Sequence, residues 1–235
     1  HVVTRRQRQM CIRDSVYGSG SFGAEFDLNS INGTNGVQIN GVGGGDHSGV
    51  SISDLGDVNN DGIDDIIIGA YKAELNNATS SSGESYVVFG SGSLTHPIQL
   101  SALNVTTGFT IRGGDKGDFS AYSVSGAGDF NDDGFNDILI GAYKGVVQRA
   151  TKQANSGESY IVYGSGSAFP AVIDLGNLGA AGTVLLGIDK NDFSGYSVSD
   201  GGDINGDGID DLIIGAYQAK VGTAAKAGET YAVFG

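Results

Sequence analysis

An internal repeat constrains the fold of this chain more than any other feature of its sequence. The segment at residues 56–71 returns at residues 128–143 and again at residues 202–217, so that successive copies are 72 and then 74 residues apart. Two further markers keep the same order in each copy: a Ser-x-Ser triplet comes before the segment, and a Gly-Glu-x-Tyr run comes after it. Such a period is typical of a chain in which one supersecondary unit is stacked on copies of itself.

Each copy carries the patterns of β-strands and no sustained helical period. Residues 51–53 alternate polar and apolar side chains, whereas residues 66–68 form a continuous apolar run that is typical of a strand buried on both faces. Residues 85–89 are rich in β-branched and aromatic side chains, and residues 109–112 and 183–186 supply a fourth strand in the first two copies. Four antiparallel strands in each copy predict an all-β fold that consists of β-propeller blades.

Strand counting predicts an open array of about three blades. Residues 16–18 are interpreted as the end of a third strand and residues 37–40 as the fourth strand of the same blade, while the sequence stops just after a third strand. We therefore expect further blades in the same parent chain, and we expect loops at residues 73–82 and 145–156. The array at 15–235 is predicted to comprise the end of a preceding blade (15–46), two complete blades (47–117 and 118–191) and an incomplete blade (192–235).

Residues 1–14 differ in composition from the rest of the chain and are left out of this fold prediction. They contain four of the 13 Lys and Arg residues, together with the single Cys and the single Met. No apolar run follows them as it would in a signal peptide. The sequence at 5–15 resembles translated sequencing-adaptor sequence of the kind found in fragmentary metagenomic reading frames, so we interpret 1–14 as a non-native or disordered segment.

Acidic residues outnumber basic ones by 27 to 13, which gives the chain a net charge of −14. A surface of this charge repels nucleic acid and anionic membranes, so neither is an expected partner. No apolar run approaches the roughly 20 residues that a membrane-spanning helix requires. The excess of carboxylates is compatible with cation binding or simply with a soluble surface.

The carboxylates are concentrated in one loop of each repeat, which has the pattern Asp-x-Asn-x-Asp-Gly-x-x-Asp. If the loop curls, the side chains at positions 1, 3, 5 and 9 and the main-chain carbonyl of position 7 converge on one point, and Gly at position 6 permits the turn. An oxygen-only set matches the coordination of Ca²⁺, and closely spaced carboxylates repel one another unless a cation neutralises them. We therefore predict three Ca²⁺ sites, with ligands Asp57, Asn59, Asp61, Ile63 and Asp65; Asp129, Asn131, Asp133, Phe135 and Asp137; and Asp203, Asn205, Asp207, Ile209 and Asp211.

Other interpretations of these loops are open. The loop is not an EF-hand, because position 12 is Ile68, Ile140 or Ile214 rather than Glu and because strands rather than helices flank it. The simpler alternative is a set of Asn-Gly or Asp-Gly turns with solvated carboxylates. The presence of all four side-chain ligands in every copy favours a metal site, and Mg²⁺ is disfavoured because it keeps several of its waters.

Two further sets of acidic residues repeat in register. Asp46, Asp118 and Asp192 each stand two residues before a Ser and either extend the metal site or close a local Asx-type turn. No nucleophile–base pair is found, so the sequence offers no catalytic residues. The glutamates that begin the third strands are interpreted as structural: Glu84, Glu158 and Glu229.

The array resembles the FG-GAP repeats of integrin α-subunit propellers and of bacterial proteins that carry the same repeat. The acidic pattern agrees with that family at every ligand position, and the Gly-Ala-Pro element of the family corresponds to Gly-Ala-Tyr at residues 69–71, 141–143 and 215–217. The Phe-Gly element is altered to Phe-Ser at residues 119–120 and 193–194, and to His-Ser at residues 47–48. These departures and the long period favour the bacterial, secreted type of the repeat.

The resemblance implies Ca²⁺ that stabilises the blades, an extracellular or cell-surface location, and adhesion to a protein or glycan ligand through a face of the propeller. It implies no enzymatic activity. An alternative function is that of the non-catalytic propeller portion of a secreted hydrolase or lyase whose active site lies elsewhere in the parent chain. The two hypotheses differ in what that parent chain contains: further repeats and adhesion modules, or a catalytic domain.

Overall fold

The computed structural model describes residues 12–18, 25–74, 81–146 and 154–235, and β-strands dominate these ranges. They contain short 3-10 turns and no α-helix, and no helix in them is long and apolar enough to cross a membrane. The loops expected at residues 73–82 and 145–156 fall partly outside the described ranges, and their described parts contain no strand. In chain order the strands are β1 (Ile12–Val16), β2 (Gly36–Asn40), β3 (Ser51–Gly56), β4 (Asp65–Ala70), β5 (Glu84–Val88), β6 (Ile98–Gln99), β7 (Gly108–Arg112), β8 (Ser123–Gly126), β9 (Ile138–Ala142), β10 (Glu158–Val162), β11 (Val172–Asp174), β12 (Gly182–Leu186), β13 (Ser194–Gly202), β14 (Asp211–Ala216) and β15 (Glu229–Val233).

The strands form four sheets, two of which contain a complete blade of four antiparallel strands. One blade consists of β3, β4, β5 and β7, and the next consists of β8, β9, β10 and β12. β13, β14 and β15 form three strands of a further blade, and β1 and β2 form an antiparallel pair that precedes the first complete blade. The described sheets confirm the all-β fold, an open array of propeller blades.

Two short parallel strands, which were not predicted from the sequence, connect each complete blade to the sheet before it. β6 pairs with β2, and β11 pairs with β7. Both lie in the connection between the third and fourth strands of their own blade, so this connection reaches across to the outer edge of the preceding sheet. The main-chain hydrogen bond from Thr110 N to Ala171 O, 3.1 Å long, is one such link.

The first described strand begins inside the segment that was set aside on composition. β1 pairs with β2 along its whole length, from Ile12 opposite Asn40 to Val16 opposite Gly36. Residues 12–14, interpreted above as part of a non-native or disordered segment, therefore belong to a sheet. The physical reason is that main-chain N–H and C=O groups satisfy one another in a ladder irrespective of the side-chain composition on which the interpretation rested.

The apolar runs of the second and third strands are buried on both faces because each strand faces two neighbouring sheets. In β4, Ile67 packs into the core shared with the following blade, whereas Ile68 packs into the core shared with the preceding sheet, and both are at most 1% exposed. In β9, Leu139 packs into the core shared with the following sheet, and Ile140 packs into the core shared with the preceding blade. Full burial of one such side chain contributes about 1.5–3 kcal/mol, so these cores between blades supply much of the stability of the array.

Candidate functional site

Each acidic loop joins the first strand of a blade to the second and is closed by its own side chains. In the first loop, the carboxylate of Asp57 accepts hydrogen bonds from Asp61 N at 3.1 Å and from Gly62 N at 2.7 Å. Asn59 Oδ1 accepts another from Asp61 N at 2.9 Å, and the carboxylate of Asp61 accepts one from Ile63 N at 2.9 Å. The same bonds recur in the other two loops at 2.8–3.1 Å. Positions 1 to 7 of the pattern therefore form one hydrogen-bonded turn around the carboxylate at position 1.

Glycine at position 6 is required by the backbone conformation rather than by lack of space. Gly62, Gly134 and Gly208 have φ angles of 87°, 91° and 97°, a region that side chains with a Cβ atom rarely adopt. A Cβ atom at any of the three positions would meet nothing within 4 Å. The sharp turn predicted from the sequence is thus a property of the main chain at this residue.

Position 9 has a structural role that was not predicted from the sequence. Asp137 is fully buried, and its two carboxylate oxygens accept hydrogen bonds from Phe130 N at 3.2 Å and from Gly164 N at 2.8 Å. Since Gly164 follows the third strand, this carboxylate connects the loop to a segment 27 residues away. Asp65 and Asp211 are equally buried and make the corresponding bonds to the residues that follow their own third strands.

In the first two loops, burial makes the negative charge at position 9 unfavourable. It raises the pKa of Asp65 to about 6 and the pKa of Asp137 to about 7; the carboxylates at positions 1 and 5 raise these pKa values further, while the main-chain hydrogen bonds partly oppose the effect. A cation near these carboxylates would favour their charged form and lower their pKa values. The electrostatic environment of the loops is therefore suited to a bound cation.

The donor atoms of the loops also suit a hard cation, although they do not converge on one point in this structure. All the side-chain candidates offer carboxylate or amide oxygens, which Ca²⁺ prefers. Within the described residues, no three His, Cys, Asp or Glu side chains are grouped so that they could hold a metal ion. In the second loop, Asp133 Oδ2 instead accepts a hydrogen bond from Asn131 Nδ2 at 2.9 Å, and the third loop has the same bond at 2.7 Å. A cation would have to replace this hydrogen bond, and the three Ca²⁺ sites stay a prediction.

Acidic loops of neighbouring blades contact each other through the residue at position 8. Asp210 Oδ2 of the third loop accepts a hydrogen bond from Asp129 N of the second loop at 3.0 Å. A Cβ atom on Gly128 would lie 1.9 Å from that carboxylate oxygen, and a Cβ atom on Gly56 would lie 2.1 Å from Asn136 Nδ2. The glycine before position 1 has a φ of 61°, 58° and 60° in the three copies, which favours glycine, and in the first two copies it also lies against a side chain of the next blade.

At the other end of the same strands, aromatic side chains form a continuous row that we call the aromatic ladder. Its members lie at or just before the start of the first strand or just after the second strand of a blade, and the centroids of contacting rings lie 4.4–5.9 Å apart. The hydroxyl of Tyr122 donates to that of Tyr196 at 2.9 Å and links two blades. Most of the rings are half-buried, while Tyr217 is 47% exposed. The aromatic ladder consists of His47, Tyr71, Phe119, Tyr122, Tyr143, Phe193, Tyr196 and Tyr217.

The ladder differs between repeats in whether a lysine covers its rings. Lys72 Nζ lies 5.5 Å from the centroid of the Tyr71 ring, and Lys144 Nζ lies 4.4 Å from the centroid of the Phe119 ring. The third repeat has Gln218 at the corresponding position, and its Nε2 donates to the hydroxyl of Tyr217 at 2.8 Å. The ladder was missed in the sequence, although the repeated Gly-Ala-Tyr and Asp-Phe-Ser triplets are a signal by which it can be found.

Local hydrogen bonds account for most of the other repeated acidic residues, whereas Asp118 is buried and its Oδ2 has no hydrogen-bond partner among the described residues. Asp46 Oδ2 accepts a hydrogen bond from Gly43 N at 2.7 Å, and Asp192 Oδ2 accepts one from Asp189 N at 3.2 Å, which supports a local turn rather than an extended metal site. Each glutamate at the start of a third strand accepts a hydrogen bond from the hydroxyl of the Tyr two residues later. These contacts support the structural interpretation of both sets.

Comparison with known proteins agrees with the blade assignment. Three segments match the family described as FG-GAP repeat, at residues 50–88, 120–162 and 194–233, and each ends with the last residue of the third strand of a blade. The chain is similar to integrin alpha-5 of Xenopus laevis, with 28% identity over 195 residues, and to integrin alpha pat-2 of Caenorhabditis elegans, with 28% identity over 191 residues. Integrin alpha pat-2 of Caenorhabditis briggsae is 29% identical over 181 residues.

These alignments cover 81%, 77% and 73% of this chain, but 16%, 14% and 13% of the respective relatives. The chain thus spans about one sixth or less of the length of the curated relatives that it matches. The three family matches cover about half of the chain and coincide with its blades. On this agreement of sequence and structure, the chain belongs to the FG-GAP repeat family.

Proposed function

We propose that the chain is a calcium-binding propeller segment of a secreted or cell-surface protein, which binds a protein or glycan ligand and serves adhesion. The observation that carries the binding function is the aromatic ladder. Aromatic side chains supply much of the contact energy in binding surfaces, yet this row remains partly accessible along one end of three blades. The similarity to integrin α subunits supports adhesion rather than catalysis.

Calcium has a stabilising role in this proposal. The side chains at positions 1, 3, 5 and 9 and the carbonyl at position 7 of each loop would hold the ion, whose positive charge would offset the repulsion among the carboxylates. A cavity of about 240 Å³ adjoins Asn59 and Asp61, so an ion can reach the first loop from solvent. Because the loop joins the first and second strands, and position 9 also contacts the end of the third, each ion would brace three strands of its blade.

The ligand-binding role can be tested at the exposed end of the ladder. Tyr217→Ala removes a ring that is 47% exposed, so its effect on folding should be small, whereas it should weaken binding in a screen of extracellular proteins and glycans. Val50→Ala, which also changes an exposed apolar residue near the start of a first strand, is the control. Equal binding of both variants to every ligand that the unmodified chain captures would argue against the aromatic ladder as the binding surface.

The calcium role is tested separately by thermal unfolding. Binding of Ca²⁺ to the folded chain alone raises its stability by mass action, with an expected Kd on the order of 10⁻⁴–10⁻³ M. The melting temperature should therefore rise between a chelator and about 10 mM CaCl₂, a concentration above this range, and MgCl₂ at the same ionic strength should have a smaller effect. Coincident melting curves in chelator and Ca²⁺ would falsify the calcium role.

A further inference from the structure

A basic depression lies beside the third repeat, and we call it the lysine pocket. It is an open cavity of about 470 Å³ between the turn before β13 and the connection from β14 to β15. Lys190 lines it from the turn, and Lys220 and Lys226 line it from the connection. Three of the eight Lys and Arg residues in the described ranges therefore surround one cavity, in a chain whose net charge is −14.

These three lysines form no ion pair with any acidic side chain that the structure describes. Among the described residues, the single ion pair joins Arg112 and Glu84, far along the chain from this pocket. One acidic residue, Asp192, lines the pocket, but it is 6% exposed and its Oδ2 accepts a hydrogen bond from Asp189 N. Like charges that are held close together repel one another, and a bound anion would remove this cost.

The backbone places two of the lysines in a defined geometry. Val221 and Ala224 exchange two main-chain hydrogen bonds of 3.1 and 2.9 Å, and Gly228 N donates to Ala219 O at 3.0 Å, so the connection is a small hairpin. Lys226 has a φ of 57°, a conformation that is uncommon for residues other than glycine. Because the hairpin holds both lysines near the pocket before any ligand arrives, binding would lose less backbone entropy.

One wall of the pocket is the ring of Phe193, over which no lysine of the described ranges lies. In the second repeat, Lys144 Nζ lies 4.4 Å from the centroid of the Phe119 ring. Phe193 is the corresponding ring of the third repeat, where the residue at the position of Lys144 is Gln218. The cations of the third repeat line the pocket around Phe193 instead, so the part of this half-buried ring that lines the pocket can contact a ligand.

We propose that the lysine pocket binds an acidic saccharide. A sugar ring would lie against Phe193, its carboxylate or sulfate ester would contact the three ammonium groups, and the amides of Asn191 and Gln218 would hydrogen-bond to its hydroxyls. An acidic peptide would satisfy the lysines but offers no ring hydroxyls to the two amides. A long polyanion would be repelled by the remainder of the acidic surface. This proposal names a ligand class for the binding function above and rests on it.

The test compares two double variants that remove the same charge. Lys220→Gln with Lys226→Asn empties the hairpin of cations, and Asn tolerates the positive φ at position 226. Lys72→Gln with Lys116→Gln is the control at two lysines that do not line the pocket. Calorimetric titration uses four ligands of equal length: a uronate trisaccharide, a sulfated trisaccharide, a neutral trisaccharide and a triglutamate peptide. Each titration is run in chelator and in Ca²⁺, and at about 50 and 200 mM salt, because charge-assisted contacts weaken with screening.

We expect one or both acidic trisaccharides to bind the unmodified chain, to bind more weakly at higher salt, and to lose roughly tenfold or more in affinity in the hairpin variant only. Whichever acidic trisaccharide binds identifies the acidic group. If the hairpin variant does not fold, Lys220→Gln alone replaces it.

Several results would overturn the proposal: binding of the neutral trisaccharide with equal affinity, equal losses in both double variants, equal binding of triglutamate, or no binding of either acidic trisaccharide. Binding that disappears in chelator but has the same affinity in the lysine variants would indicate that the anion binds to Ca²⁺ in an acidic loop instead. Melting curves of the same samples in chelator and Ca²⁺ report on the proposed function independently, so its failure and the failure of the lysine pocket are distinguishable.

Discussion

The third strands of the last two repeats have nearly the same sequence and very different surroundings. β10 reads Glu-Ser-Tyr-Ile-Val and all five residues are buried, whereas β15 reads Glu-Thr-Tyr-Ala-Val and none of its residues is buried. β10 lies between β9 and β12, and its faces contribute to two cores. β15 pairs with β14 and, within the described residues, has no strand on its other edge. The pattern specifies a strand in both places, and the neighbours decide whether that strand is an interior one.

The acidic loops show the same contrast. The third loop has the internal hydrogen bonds of the second and one more, from Gly206 N to Asp203 Oδ1 at 2.6 Å. The bond from position 9 to the end of the third strand is 2.8 Å in the second repeat, from Gly164 N to Asp137, but 3.2 Å in the third, from Gly235 N to Asp211. The two loops thus have similar local hydrogen bonds but unequal contact with the rest of the blade. Four measurements test what this contact contributes to stability and to metal binding.

The largest expected difference is in local opening. Amides at residues 138–140 should exchange hydrogen with solvent through an opening that approaches the global free energy of unfolding. Amides at residues 212–214 should open at several kcal/mol less, because β14 lies in a three-stranded sheet whose edge strand β15 has no buried residue. Hydrogen exchange followed by mass spectrometry on the unmodified chain measures both. Equal protection would contradict the open array and indicate that other strands complete the last blade.

Removal of the carboxylate at position 9 should have the second-largest effect, on the free energy of unfolding. Asp137→Ala leaves two main-chain N–H groups without acceptors in a fully buried place and should cost about 2–5 kcal/mol in the free energy of unfolding. Asp211 accepts a third main-chain hydrogen bond, from Asn205 N, but Asp211→Ala should cost less, because β15 has one pairing partner and none of its residues is buried. Urea unfolding compares the two, with the exposed Asp64→Ala as a control. A larger loss for Asp211→Ala would reverse the comparison.

The buried carboxylates predict an unusual pH dependence in metal-free buffer. Burial raises the pKa of Asp65 to about 6 and the pKa values of Asp118 and Asp137 to about 7, above the ordinary value of an unfolded chain. The folded state then binds more protons, so the stability that these groups contribute is fully present below about pH 4 and is lost as the pH rises through 6 and 7.

The expected total loss is on the order of a few kcal/mol between pH 5 and pH 8, since each unit of pKa shift corresponds to about 1.4 kcal/mol and partial solvent exposure reduces the sum. Saturating Ca²⁺ should reduce the loss, since a cation favours the charged carboxylates. Urea midpoints at several pH values, with and without Ca²⁺, provide the measurement. Stability that increases with pH in the metal-free buffer would show that these carboxylates are charged in the folded state at pH 5.

The smallest expected difference is between the two calcium loops themselves. Asp133→Ala and Asp207→Ala each remove one carboxylate from position 5. Each variant should lose the stabilisation that one bound Ca²⁺ ion provides, which is about 1–3 kcal/mol at Ca²⁺ concentrations of ten to one hundred times Kd. The second loop should bind Ca²⁺ more tightly, because its blade has neighbours on both faces. Calcium titration of both variants tests this ranking, with Asp64→Ala again as the control. Identical affinities of the remaining sites would show that neighbouring blades do not affect metal binding.

The repeat unit could be predicted from the sequence because the residues that determine its strands and its loop are close together in the chain. The alternation at residues 51–53 and the apolar run at residues 66–68 predicted β3 and β4, and the spacing predicted the blades. The acidic loop closes through bonds between residues two to five positions apart, such as that from Gly62 N to Asp57. The positive φ of Gly62 is likewise a local property.

Other features depend on residues that only folding brings together. The parallel strands β6 and β11 form because the connection of one blade meets the outer edge of the sheet before it. The start of β1 at Ile12 depends on the ladder with β2, and composition carried no information about that pairing. The aromatic ladder and the lysine pocket combine residues from different elements, so neither is visible as a continuous motif in the sequence.

By itself, the sequence determined which segments become strands, where the chain turns, and which oxygens each acidic loop can offer, because those outcomes follow from side-chain periodicity and short-range hydrogen bonds. The tertiary structure alone decided which copies are interior. The near-identical strands β10 and β15 differ in burial because apolar surface is removed from water only where a neighbouring blade covers it. It also decided that the carboxylate of Asp137 has a raised pKa, because desolvation depends on what surrounds a group in space and not on its place in a motif.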